Sequence, residues 1–431
     1  MSNWVRCLVL IMVASLGGSF IAAQSGGNRA DHWVATWATA LELSRTVQEI
    51  PQLPPGVTMP DFSKLKGPAM PLRIPKTVQD QTVRMIVHTS IGGNRLRIEF
   101  SNAFGLGIVS IADAHIAIRT SESSIDPASD HKVTFSGNPG VEISPGAVIV
   151  SDEIDMDVKP MSDLAVSLYV AKSDGEPANH MVGLHTSYIA GGDTTTSVSM
   201  PKGDTTTGYL WLRSIDVEAP SSSFAIACLG DSITDGFGTT GDADRAWPTL
   251  LAARLNDLQA GPRISVVNEG ISGNEVLRDG AGVSALARFD RDILGEPGVR
   301  WMVLLEGIND INLHGQITGP GALVAEDLIA GYRQLIARAH LNGIKVIGAT
   351  LTPEEGVWLA GPVGEATRQT VNTWIRSSGE FDSVVDFDAV VRDPNHPSRL
   401  RTGLDPGDHI HPNDIGNQSM ADAFLLNTFE R

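Results

Sequence analysis

Residues 224–236 read FAIACLGDSITDG, and the break inside them decides the fold of everything that follows. The run from Phe224 to Leu229 is apolar without alternation, too short for a helix and long enough for a strand, and Gly230 ends it. A strand with no polar face is covered on both sides, the usual condition of a parallel sheet. Downstream, ISVVNEG (264–270), WMVLLEG (301–307), IKVIGATLT (344–352) and VVDFD (384–388) repeat the pattern, interleaved with helix candidates at 247–258, 283–294, 323–341 and 366–375 and a last one at 414–426. Short apolar strands alternating with amphipathic helices predict an α/β domain over 224–431, its parallel sheet covered by helices on both faces.

Upstream of residue 224 the period changes. Val83, Met85 and Val87, then Leu96, Ile98 and Phe100, and later Leu164, Val166, Leu168 and Val170 alternate with polar neighbours, the signature of half-buried strands. IGGN (91–94) between the first two runs predicts a hairpin or tight connection, and SGNPG (136–140) and SPG (144–146) are further turns. Residues 31–217 therefore read as an all-β sandwich of the jelly-roll kind. The proline-rich stretch 51–75 is expected as a long irregular loop, and EAPSSS (218–223) as a linker between two domains.

The chain has 431 residues with 50 Asp plus Glu against 32 Lys plus Arg, a net charge of −18. That excess repels phosphate backbones and anionic bilayers, which argues against nucleic acid as a partner. Arg6, the apolar run from Leu8 to Val13, and Leu16, Phe20, Ile21, Ala22 and Ala23 are ordered as in a signal peptide, so 1–23 is expected to be a cleaved leader and the mature protein secreted or periplasmic. Ser15, Gly17, Gly18 and Ser19 interrupt the run, so stable membrane insertion is not expected. Beyond Cys7 in the leader, Cys228 is the remaining cysteine, which excludes an intrachain disulfide and predicts a small buried thiol.

In open parallel sheets functional groups collect just past the carboxyl ends of the strands. There stand GDSITDG (230–236), NEGISGN (268–274) and EGIND (306–310), and near the C-terminus DHIHPND (408–414). A serine hydroxyl needs a base to attack a carbonyl; His411 is a candidate base for Ser232, and Asp408, three residues earlier, can orient its imidazole. A tetrahedral oxyanion needs donors, which the N–H groups of Ser232 and Gly273 and the Asn309 amide can supply. Asp231 and Asp310 are expected to brace their loops; Asn268 and Asn274 are either competing oxyanion donors or turn stabilisers. His409, with Asp405, Asp408, His411 and Asp414 nearby, raises a metal site, but the helix-start chemistry of Pro412 and Asn413 favours a rim position for His409 and no metal or cofactor. His88 and His185 read as scaffold residues.

GDSIT, the Gly273 of ISGN, GIND and DHIH resemble the four blocks of the SGNH/GDSL hydrolase superfamily. The resemblance covers the C-terminal half and implies a three-layer, flavodoxin-like α/β/α domain. It also implies Ser232 as nucleophile, Asp408 and His411 as its triad partners, and Ser232, Gly273 and Asn309 as the oxyanion hole. TVRMIVHTSIGGNRLRIEFSNAFG (82–105) is similar to the leading region of secreted bacterial GDSL esterases. The function expected is that of a serine esterase hydrolysing carboxylic esters, from a small molecule or a polysaccharide, through an acyl-serine intermediate, with small-acyl (acetyl) esters on carbohydrate as first choice. A lipase, phospholipase or acyltransferase would use the same residues, and a glycan-binding protein with a degenerate hydrolase half is the alternative from another class.

Overall fold

The computed structural model describes residues 31–43, 74–258, 261–315, 322–357 and 359–430. The expected leader and most of the proline-rich stretch 51–75 lie outside these. Five parallel strands, β1 (Phe224–Gly230), β2 (Ile264–Gly270), β3 (Val299–Leu305), β4 (Lys345–Ala349) and β5 (Ser383–Val385), lie in the order β2-β1-β3-β4-β5. Every residue of β1 is buried, as its unbroken apolar run requires.

The helices follow the sequence pattern closely. After β1 come the single turn α1 (Ser232–Asp235) and then α2 (Trp247–Asn256); α3 (Ala285–Phe289) runs into a π-helical turn over Asp290–Leu294. Next are α4 (Ile308–His314), α5 (Ala325–Leu341), α6 (Pro362–Ser377), α7 (Phe387–Val391) and α8 (Asp414–Asp422). In one group α8 packs on α2 and α7; in the other α5 packs on α3 and α6. With the sheet between them these form the three-layer α/β/α arrangement. Cys228 is fully buried in β1, and burial pushes its thiol well above the usual range.

The β-rich half is antiparallel. Gln81–His88 pairs with Asp163–Ser173 and Ser187–Gly191 in one sheet, while Gly93–Ser101 pairs with Leu212–Pro220 in the other. Val83, Met85 and Val87 share a core with Leu96, Ile98 and Phe100. The hairpin alternative for IGGN is thereby corrected: the two runs do not pair, and the turn carries the chain from one sheet to the other. Period two marks a buried face, not the partner that flanks it. Residues 218–220 close Leu212–Pro220, and 221–223 turn directly into β1.

Strand Asp31–Ala38 contributes to both cores, Val34 facing the β-rich one and Ala35 the parallel-sheet one. Polar ties run beside it: Ser90 Oγ accepts from Val266 N at 2.9 Å, and Arg213 pairs with buried Glu296 at 2.7 Å. The aromatic residues of this half are used in packing. Trp211 is buried, Trp37 meets Tyr209 edge-on at 4.8 Å, and the Arg97 guanidinium covers Trp33 at 4.6 Å.

Trp247 opens α2 with no exposed surface, stacked on Phe424 of the C-terminal segment and edge-on to Phe387. Trp247→Ala should cost about 3–5 kcal/mol by transfer and cavity terms together, read as a lower denaturant midpoint with an unchanged slope.

Candidate active site

Past β1 the chain must turn sharply. A Cβ on Gly230 would lie 2.1 Å from Thr234 Oγ1 and 2.5 Å from Leu305 O, so this position tolerates glycine alone. Asp231 then caps α1, its Oδ1 accepting from Ile233 N at 2.9 Å. Its Oδ2 has no hydrogen-bond partner among the described residues, and burial pushes the carboxyl up to about 7. The expected loop-bracing role fits this contact. Ser232 follows as the first residue of α1, and the first N–H groups of a helix have no partner within it.

His411 comes from the far end of the chain, on the loop before α8. That loop is pinned: Asn413 caps α8, Asn417 Nδ2 donates to Pro412 O at 2.6 Å, and Asp414 accepts from Thr240 N and Oγ1, both at 2.8 Å. The imidazole Nε2 lies 2.8 Å from Ser232 Oγ, and Nδ1 lies 2.6 Å from Asp408 Oδ2. Asp408 Oδ1 also accepts from the N–H groups of Ile410 and His411 at 3.1 Å each. Burial would raise this carboxyl, but the His411 hydrogen bond and charge and the two backbone N–H groups hold it below the ordinary carboxylate range. With Nδ1–H donated to the Asp408 carboxylate, Nε2 carries no hydrogen and faces the Ser232 hydroxyl as an acceptor.

The three expected oxyanion donors issue from three adjacent strands, Ser232 from β1, Gly273 from β2 and Asn309 from β3. Gly273 has φ 84°, a left-handed conformation that other residues rarely adopt. Asn309 donates one amide hydrogen to Asn274 O at 2.9 Å, which ties α4 to the turn holding Gly273 and leaves the second amide hydrogen for another acceptor. Asp310 accepts from Val276 N at 2.8 Å and Leu277 N at 3.1 Å, a brace as expected, and burial pushes it to about 7. Asn268 donates its amide to Thr234 O of α1 and accepts from Gly270 N, and Asn274 donates its amide to Val283 O.

His409 is more than half exposed and 3.3 Å from Asp405, away from the imidazole of His411 in role if not in sequence. The donor group suited to a cation among the described residues is elsewhere, at His88, Asp163 and Asp244. These groups already meet scaffold partners: His88 Nδ1 lies 2.7 Å from Asp163, Arg119 2.7 Å from the other Asp163 oxygen, and His185 2.8 Å from Asp244. His88 and His185 thus bond to carboxylates of the scaffold.

Residues 228–419 match the model of the GDSL-like lipase/acylhydrolase family. Over these residues the chain carries a GDSL-like lipase/acylhydrolase domain. Members of the family are esterases and acylhydrolases acting on ester substrates, and the β-rich region precedes the family domain. No curated protein matches the chain. Among solved structures, the GDSL domain is similar to a GDSL-like lipase from Bacteroides thetaiotaomicron (19% identity over 46% of this chain and 84% of that one, TM-score 0.35). It is also similar to the inhibitor-bound aryl esterase of M. smegmatis (18%, 46% and 94%, TM-score 0.35). An acetylxylan esterase from Geobacillus stearothermophilus matches at 25% identity over 48% of this chain and 94% of that one, with a TM-score of 0.36.

Sequence reasoning missed Arg288 of the GDSL domain. It has no exposed surface, and its guanidinium donates to Gly230 O at 2.9 Å, Glu269 O at 2.6 Å and Asn274 Oδ1 at 2.9 Å while pairing with Asp292 at 3.2 Å and Glu306 at 3.4 Å. One side chain therefore fixes the ends of β1 and β2 and the turn with Gly273. An arginine inside the apolar stripe of 283–294 was the available signal. Arg288→Met leaves buried carboxylates without their counter-charge, so urea unfolding should record a loss of about 3–5 kcal/mol.

Proposed function

We propose that the protein is a serine esterase that hydrolyses carboxylic esters through an acyl-Ser232 intermediate. The observation that carries this reading is the 2.8 Å contact between Ser232 Oγ and His411 Nε2, with Asp408 2.6 Å behind Nδ1. Ser232 Oγ attacks the ester carbonyl carbon as its proton passes to His411 Nε2, and the carbonyl oxygen becomes an oxyanion held by the Ser232 and Gly273 N–H groups and the free Asn309 amide hydrogen. Collapse breaks the bond to the alcohol oxygen, which takes the proton from Nε2. Water then attacks the acyl-enzyme, giving its proton to His411; the acid leaves and Ser232 recovers its hydrogen. Side chains and water balance every step, and no cofactor is invoked.

A short acyl group, acetyl above all, is the substrate we favour. Ser232 is only 6% exposed and the Phe237 ring lies 4.6 Å from that of His411, so little width is left beside the nucleophile. We place the alcohol moiety in carbohydrate and the enzyme outside the cytoplasm, reading 1–23 as a leader, 31–217 as an accessory β domain, 218–223 as its junction and 224–431 as the catalytic domain. No helix among the described residues is long and apolar enough to cross a membrane.

With p-nitrophenyl acetate, Ser232→Ala and His411→Ala should each lower kcat by about 10⁴–10⁶, and Asp408→Asn by about 10⁴. Asn309→Ala should lose about 10²–10³. Parent rates in the serine or histidine variant would exclude the acyl-serine route. Across p-nitrophenyl esters kcat/KM should fall at least about tenfold from acetate to octanoate, and acetate should be released from acetylated xylan; a preference for the long chain would point to a lipase instead.

A further inference from the structure

A buried histidine of the β-rich half reaches the helix that carries Ser232. His180, on the two-residue strand Asn179–His180, is 3% exposed. Its Nδ1 lies 2.8 Å from Ala40 O, and its Nε2 lies 3.1 Å from Asp235 Oδ1 and 3.3 Å from Val182 O. Both ring nitrogens face oxygen acceptors, so both must carry hydrogen, and the ring is an imidazolium. Asp235 is the last residue of α1, three after Ser232. Its other oxygen accepts from Ser272 N at 3.0 Å and Ser272 Oγ at 2.6 Å, and Ser272 is the residue before Gly273. One carboxylate thus joins the helix that presents the serine to the turn that presents an oxyanion donor, and a cation from the other half of the chain holds that carboxylate.

We propose that His180 is a positioning residue for acyl transfer: by clamping Asp235 it fixes Ser232 against the Gly273 turn, so the β-rich half is part of the active-site scaffold. This rests on the reading of Ser232 as nucleophile. Other ties between the halves are independent of His180, including Ser90 to Val266, Arg213 to Glu296, and Thr186 to Asp242 at 2.7 Å through both its N–H and its hydroxyl. Loss of the imidazolium therefore leaves the fold in place and loosens the geometry at Ser232. An ångström of misplacement at a reacting centre costs about 10²-fold in rate.

The groups facing the imidazolium are Asp235, Glu42 at 3.6 Å from Nδ1, and the Tyr209 ring stacked at 6.4 Å. Burial acts to lower its affinity for a proton, but Asp235, Glu42 and the Ala40 carbonyl prevail and raise it to about 9. For a raised histidine the charged clamp is intact at neutral pH and is lost as pH rises through that value.

The test compares the full chain with His180→Gln and Ser272→Ala on p-nitrophenyl acetate, with Ser232→Ala as control. His180→Gln should stay folded by circular dichroism, lose about tenfold to 10²-fold in kcat, and change KM by less than about threefold. The parent kcat should decline near pH 9, and that limb should be missing in His180→Gln. Ser272→Ala should lose about threefold to tenfold in kcat while keeping the limb. A folded His180→Gln within about twofold of the parent, or one retaining the alkaline limb, overturns the proposal. If His180→Gln does not fold, Ser272→Ala decides, and parent kcat in it overturns the proposal. Activity surviving in Ser232→Ala refutes the nucleophile reading instead, which separates the two failures.

Discussion

The hydrogen bond between Ser232 Oγ and His411 Nε2 spans 179 positions of sequence, and most of the GDSL domain serves to keep its two ends together. One end is set by close packing, since Gly230 brings β1 against Thr234 and Leu305 before Asp231 caps α1. The other is set by polar bonds from α8 and Thr240 to the loop that carries Asp408 and His411. A 2.8 Å contact between such distant positions persists only where both ends are held independently, because neither loop could meet the entropic cost of ordering alone.

Much of the charge around this contact is buried. Burial raises Glu269 and Glu306 well above the usual carboxylate range, and Glu296 up to about 8. Arg288 and Arg213 offset part of that cost, and their bonds to strand-end carbonyls and carboxylates give the cluster a geometric use. Buried ionic groups are weak contributors to stability, but they specify position when every donor has an assigned acceptor. Here the acceptors are the ends of β1 and β2 and the turn bearing Gly273.

The parts of this arrangement legible in the sequence are those encoded locally. All five parallel strands and the main helices follow from runs and periods within some fifteen residues, which is the range over which hydrophobic patterning acts. Ser232, Asp408 and His411 could be named because each sits in a short polar cluster beside a strand end or a helix cap, and the structure brings the three together. The parts that were not legible depend on distant partners. The runs 81–88 and 93–101 look like a hairpin, yet each finds its neighbours far along the chain, at 163–173 and 212–220. Likewise Arg288 looks like one polar residue in a helix, and His180 has no local signal at all; only the tertiary fold sets them beside Gly230 and Asp235.

The central claim is that Ser232 is an activated nucleophile at neutral pH because His411 and Asp408 hold its proton's acceptor in place. The most direct measurement is stoichiometric labelling with diisopropyl fluorophosphate, followed by peptide mass spectrometry of the parent and the His411→Ala chain. The account predicts a single phosphoryl adduct, on Ser232, that forms readily in the parent and fails to form on the same timescale in His411→Ala. An adduct on another residue, or equal labelling of Ser232 without His411, would contradict it.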